Sequence, residues 1–191
     1  MQPVFYFDLG SPEAYLAAER VMADLPVVPE WVPIYAAGLP GRATGQATPP
    51  HERRAAVEER AAAQHVQPLR WPADWPREDT RVAMVGATYA KQIGRAVAFA
   101  LAAFRQAFAG GRVLDEDTVV IAAAACEMHP RAVLQALGRR SVAAALDAAT
   151  ATAAVAGVTQ VPAIVIGGAV YEGADAVEQA TAALAREATS A

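Results

Sequence analysis

Cysteine is almost missing from this 191-residue chain: Cys126 stands alone, so no intrachain disulfide forms and no cysteine cluster exists to hold zinc or an iron–sulfur group. An excess of positive charge is missing too. Sixteen basic residues face twenty acidic ones, and the arginines are scattered among acids rather than gathered in a stripe that tracks phosphates, so no nucleic-acid partner is expected. The three histidines, His51, His65 and His129, fall on separate segments without ligand spacing, and no metal site is expected. No basic leader precedes an apolar run, which reads as no signal peptide and a cytoplasmic location. Long apolar runs are absent as well. The alanine-rich stretches 96–104 and 143–156 are punctuated by Arg95, Arg105, Arg140 and Asp147, so they read as packed soluble helices with no membrane partner.

What is present is a real core: 54% of the residues are hydrophobic, and the length suits one compact domain or a small domain carrying an insertion. Val4-Phe5-Tyr6-Phe7 is β-branched or aromatic throughout, which predicts a short buried strand. Ser11-Pro12-Glu13 then supplies a capping hydroxyl, a proline suited to the first helical position and an acid at the positive helix end. The helix runs through Tyr15, Ala18, Met22 and Leu25 and stops before Pro26, and Glu30 to Tyr35 follows as a second strand. A Gly/Pro/Thr-rich loop from Ala36 to Pro50 marks a boundary. Beyond it, helical patterns cover 51–64, 79–92, 94–109, 115–127, 130–138 and 140–156. Strands return at Ala163–Ile166 and Ala169–Tyr171 across Gly167-Gly168, followed by a helix from Asp175.

A βαβ opening and a ββα closing cannot each bury a sheet face alone. Joining them gives one four-stranded sheet flanked by helices, an α/β thioredoxin-like fold with a large all-helical insertion. The expected division is 1–36 and 157–191 for the thioredoxin-like domain and 37–156 for the insertion, with a ligand cleft between the lobes.

The stretches FYFDLGSPEAYLA at 5–17 and GVTQVPAIVIGGAVYEGADAVEQ at 157–179 resemble the two signatures of the DsbA-like superfamily. The resemblance is strongest to its 2-hydroxychromene-2-carboxylate isomerase and kappa-class glutathione transferase branch. There, Ser-Pro and an aromatic at the place of Tyr15 stand where redox members carry C-x-x-C. TGQATPP at 44–50, the two Trp-Pro pairs and GRAVAFALAAFRQAFAGGRVLDEDTVV at 94–120 extend the likeness over nearly the whole chain.

The resemblance implies glutathione or another low-molecular-weight thiol as cofactor, with Ser11 stabilising its thiolate. A helix dipole is worth about 0.3–1 kcal/mol and a hydrogen bond to a charged group about 1.5–3 kcal/mol. Together they lower a thiol pKa of about 8.5 by roughly one to three units. The resemblance assigns further thiol-binding roles to Gln46, to Val161 and Pro162, which match a cis-proline segment that pairs with an extended ligand backbone, and to Asp175, which meets the γ-glutamyl ammonium. Read without the resemblance, Ser11 and Asp175 are helix N-caps and Pro162 is a strand-opening proline.

Departures from the family pattern also carry chemistry. Glu13 stands where the isomerases usually have an aromatic and brings a carboxylate beside the expected thiolate. Arg53, Arg54 and Arg60 stand in place of a customary lysine, and Ala176 replaces an arginine. Cys126 reads as a small core residue, Trp71 and Trp75 as either pocket lining or turn anchors, and Asp8 as a hydrogen-bonded strand-end acid rather than a base.

The expected function is thus a thiol-dependent isomerase acting on a conjugated aromatic substrate, or a transferase acting on an electrophile, with a homodimer implied by the resemblance. The other reading is a DsbA-like module without redox activity that binds a peptide or partner in the groove beside Pro162. Disulfide exchange is disfavoured because positions 11 and 14 are serine and alanine.

Overall fold

The computed structural model describes residues 2–40, 49–76 and 79–189. Strand β1 (Val4–Phe7) leads into helix α1 (Pro12–Asp24), strand β2 (Glu30–Pro33) and a single 3₁₀ turn at Ala36–Gly38. Six helices follow: α2 (Pro50–Ala63), α3 (Arg81–Gln92), α4 (Ala96–Phe104), α5 (Glu116–Ala124), α6 (Pro130–Leu137) and α7 (Arg140–Val155). The chain closes with β3 (Ala163–Ile166), β4 (Ala169–Glu172) and α8 (Ala176–Thr189). Helix α4 does not run on to residue 109 as its apolar pattern predicts. It passes into a π-helical turn at Arg105–Ala109 that ends at Gly110-Gly111, where Gly111 has φ +70°.

The sheet order is β2-β1-β3-β4, with β1 parallel to β2 and antiparallel to β3, and β3 antiparallel to β4. This is a thioredoxin-like fold. Alternation along β1 sends Phe5 and Phe7 to one face, level with Trp31 on β2 and Ile164 on β3, and Tyr6 to the other, level with Val32 and Ala163. The first face joins α1, α3, α4, α5 and α8 in the main core, where Phe5 and Trp31 meet edge to face at 4.9 Å. The second face is covered by Ala153 at the end of α7, with Val158, Ile34 and Leu39. Helix α7 therefore serves as a layer of the sheet itself, and Thr150 fixes it there by donating to Leu146 and accepting from Tyr35 N–H at 3.0 Å.

Among the described residues no helix is long and apolar enough to cross a membrane. Gln46 lies outside the described residues.

Candidate functional site

β1 ends in a turn that points the N-terminus of α1 toward the segment preceding β3. Asp8 builds this turn. Its carboxylate accepts from Gly10 N–H, Ala36 N–H and the Thr80 hydroxyl, each at 2.9 Å, and it is buried. One acid thus ties together β1, the 3₁₀ turn and the start of α3, which is a structural occupation for Asp8. Gly10 is needed at this spot because a Cβ there would lie 2.4 Å from Thr80 Cγ2.

Ser11 caps α1 as its sequence context predicts: the backbone is extended at φ −92° and ψ 115°, and Oγ accepts from Ala14 N–H at 3.1 Å. The hydroxyl proton faces Glu13 Oε2 at 3.0 Å and the Val161 carbonyl at 3.4 Å. Residues 150 positions apart in sequence are therefore brought together. The Val161–Pro162 peptide bond is cis. Pro162 passes its carbonyl to Gly173 N–H at 2.9 Å, and Glu172 accepts from Thr159 N–H at 3.0 Å, so β4 holds the segment in place. Ser11 itself is only 7% exposed.

The amides of Ser11, Ala14 and Tyr15 at this helix end are already engaged, contrary to what a bare helix N-terminus offers. Ala14 N–H is spent on Ser11 Oγ, and Tyr15 N–H on the Ser11 carbonyl at 3.1 Å. Pro12 has none. Glu13, which the sequence sets beside the site as an opposing charge, is neutralised in place: Arg53 on α2 grips it with Nε at 2.6 Å and Nη2 at 2.5 Å. Burial would raise the Glu13 pKa, but the Arg53 bonds and charge, its own main-chain N–H and the Ser11 hydroxyl outweigh burial and hold it below the usual carboxylate value. The bonds to Glu13 likewise raise the Arg53 pKa against its own desolvation.

One helical face of α2 spans the site. Arg53 and Arg60, seven residues apart and so nearly in line on the helix, reach Glu13 at the start of α1 and Asp175 just before α8. The Arg60–Asp175 contact is 2.6 Å, and Arg60 also donates to the Ala174 carbonyl at 3.1 Å. The Asp175 side chain remains 58% exposed. Arginine side chains in α2 were visible as sequence features; their partners were not, because no local pattern ties residue 53 to residue 13. Beside them, Arg54 lies 5.1 Å from the ring centroids of both Trp71 and Trp75, and Arg53 lies 5.5 Å from Trp75. Trp75 faces a narrow depression shared with Gly10, Pro72, Phe108 and Leu114. Trp75 is buried, so the Trp-Pro pairs form an arginine-capped aromatic cluster beside Gly10.

A larger hollow, lined by Trp31, Lys91, Arg95 and neighbours, sits at the Glu30 end of β2, the opposite end of the sheet from Ser11. Tyr15 is not part of a pocket surface: it is buried and stacks on Phe108 at 5.7 Å. Cys126 is buried, and burial raises its thiol pKa. His129 caps α6 by accepting from Arg131 N–H at 3.2 Å. Among the described residues no cluster of His, Cys, Asp and Glu suits a metal.

The model of the DSBA-like thioredoxin domain matches residues 4–185. The chain belongs to the DsbA-like thioredoxin family. Two solved structures share the fold of this DsbA-like protein. A 2-hydroxychromene-2-carboxylate isomerase superposes with a TM-score of 0.83 at 21% identity, covering 98% of this chain and 96% of the isomerase. A probable DsbA oxidoreductase from Streptomyces coelicolor superposes at 0.76 with 24% identity, covering 97% and 89% respectively. No curated protein matches the sequence.

Proposed function

We propose that this chain is a thiol-dependent enzyme, either an isomerase of the 2-hydroxychromene-2-carboxylate isomerase type or a kappa-like transferase. In this reading Ser11 stabilises the sulfur of bound glutathione or a similar small thiol. The observation that carries the proposal is the meeting of Ser11 Oγ with the Val161 carbonyl at 3.4 Å, at a helix start whose positions 11 and 14 lack cysteine. The likeness in fold to the isomerase structure over almost the full length of both chains supports it.

The donor set suits such a ligand. Ser11 would turn its proton from Glu13 to the sulfur, the Val161 main chain would pair with the ligand backbone beside Pro162, and Asp175 would exchange Arg60 for an ammonium group. Bound there, the thiol would supply the nucleophilic sulfur that the chain lacks at this site.

The burial of Ser11, whose hydroxyl is satisfied from inside the protein, favours a second reading: a DsbA-like module that holds a peptide or partner beside Pro162 without chemistry. A thermal-shift panel of small thiols separates the two. A thiol at about 100 times its Kd stabilises by about 2.7 kcal/mol, or roughly 5–10 °C for a chain of this size, and Ser11→Ala should abolish the shift. No shift with any thiol, together with binding of extended peptides, would replace the enzyme by the module.

A further inference from the structure

The N-terminus of α1 already holds an anion, and the anion belongs to the chain itself. The Glu13 carboxylate collects the Ser11 proton and two N–H groups of Arg53. These are the donors that a helix end and a nearby cation would otherwise present to a sulfur. The pair is held in place, with the Glu13 side chain 17% exposed and Arg53 braced against Trp75.

We infer that Glu13 is the specificity-determining residue of this site: it occupies the position of an anionic ligand and cancels the charge of Arg53, so a thiolate is held only by drawing Ser11 and Arg53 away from it. This rests on the reading of Ser11 as a hydroxyl that faces sulfur, and it deepens that reading by naming what competes with the ligand.

Charge counting gives the inference a signature. With both partners present, the pair contributes no net charge beside position 11. Glu13→Gln exposes the positive charge of Arg53, Arg53→Met exposes the negative charge of Glu13, and the double variant returns to neutrality. The other charged groups around the site have partners of their own: Asp8 accepts from Gly10, Ala36 and Thr80, Arg54 lies over the two tryptophans, and Arg60 pairs with Asp175. Loosening of the fold in the two variants would not by itself produce shifts of opposite sign.

The experiment places the thiol in the chain, so that it does not depend on which external thiol binds. In a Cys126→Ala background, Ser11→Cys supplies a single sulfur, whose pKa is read from ultraviolet thiolate absorbance and from alkylation rate against pH. Glu13→Gln should lower that pKa by about one unit and Arg53→Met should raise it by about one unit. The double variant should lie near the Ser11→Cys parent. Gln keeps the shape of Glu, and circular dichroism at each pH confirms that every variant is folded. Shifts of the same sign, or a Glu13→Gln shift under about 0.3 unit, overturn the inference. In the protein with Ser11 intact, Glu13→Gln should tighten thiol binding about tenfold. If the pKa of the introduced thiol moves as stated while no external thiol binds, the enzyme reading falls and the role of Glu13 in setting anion affinity stands.

Discussion

Replacing Asp8 by asparagine tests whether this acid builds the site or takes part in chemistry. In the structure one carboxylate oxygen accepts from Gly10 N–H, and the other accepts from Ala36 N–H and the Thr80 hydroxyl. The asparagine oxygen can serve one of these two sides. Its best placement keeps Ala36 and Thr80 and turns the amide NH₂ toward Gly10 N–H, leaving that donor without an acceptor at a cost of about 1–3 kcal/mol. The two surviving bonds lose their charge assistance, which takes roughly 0.5–1.5 kcal/mol from each. Because neighbouring losses overlap, the expected total is about 3 kcal/mol. Urea unfolding should show the midpoint falling with the slope unchanged, and Tm should drop by roughly 6–12 °C. A loss below about 1 kcal/mol would refute the reasoning. An Asp8→Asn protein of wild-type stability that lost activity would assign Asp8 a chemical role instead.

The Glu13–Arg53 pair should also shape acid stability. A carboxyl held below its unfolded value contributes stability that is complete above the unfolded pKa of about 4.3 and is lost as pH falls through the lower folded value. Wild-type protein should therefore lose more stability below about pH 4.3 than Glu13→Gln does, and equal acid limbs in urea titrations at stepped pH would count against the pairing. Ser11→Ala removes the acceptor for Ala14 N–H and should cost about 1 kcal/mol in chemical denaturation, with Ser11→Gly costing only a few tenths. Gly86, inside α3, has no room for a side chain: a Cβ would lie 2.8 Å from Val119 Cγ1 and 3.3 Å from Phe99 Cζ. Gly86→Val should cost about 2–3 kcal/mol by overpacking the helical lobe, and a calorimetric Tm equal to wild type would contradict the packing.

The element order was written locally. A four-residue β-branched and aromatic run favours a buried strand, Ser11-Pro12-Glu13 favours a helix start, and Gly167-Gly168 turns the chain between β3 and β4 with φ +57° and +89°. Such signals act through backbone dihedrals and side-chain period, which neighbours in sequence control. The passage of α4 into a π-helical turn was not legible, since apolar residues at helical spacing continue through Phe104, Ala107 and Phe108 and nothing local distinguishes the two windings.

For the site, the sequence by itself determined which groups are available: a capping hydroxyl at 11 in place of a thiol, a carboxylate at 13, arginines on one face of a helix, and a proline opening a strand. It did not determine how they are spent. Arg53 reaches Glu13 across 40 residues and Arg60 reaches Asp175 across 115. Only the packing of α2 over the starts of α1 and α8 decides that these charges meet. Ion pairs of that kind follow from the positions of whole helices, and those positions are set by a core whose contacts are distant in sequence.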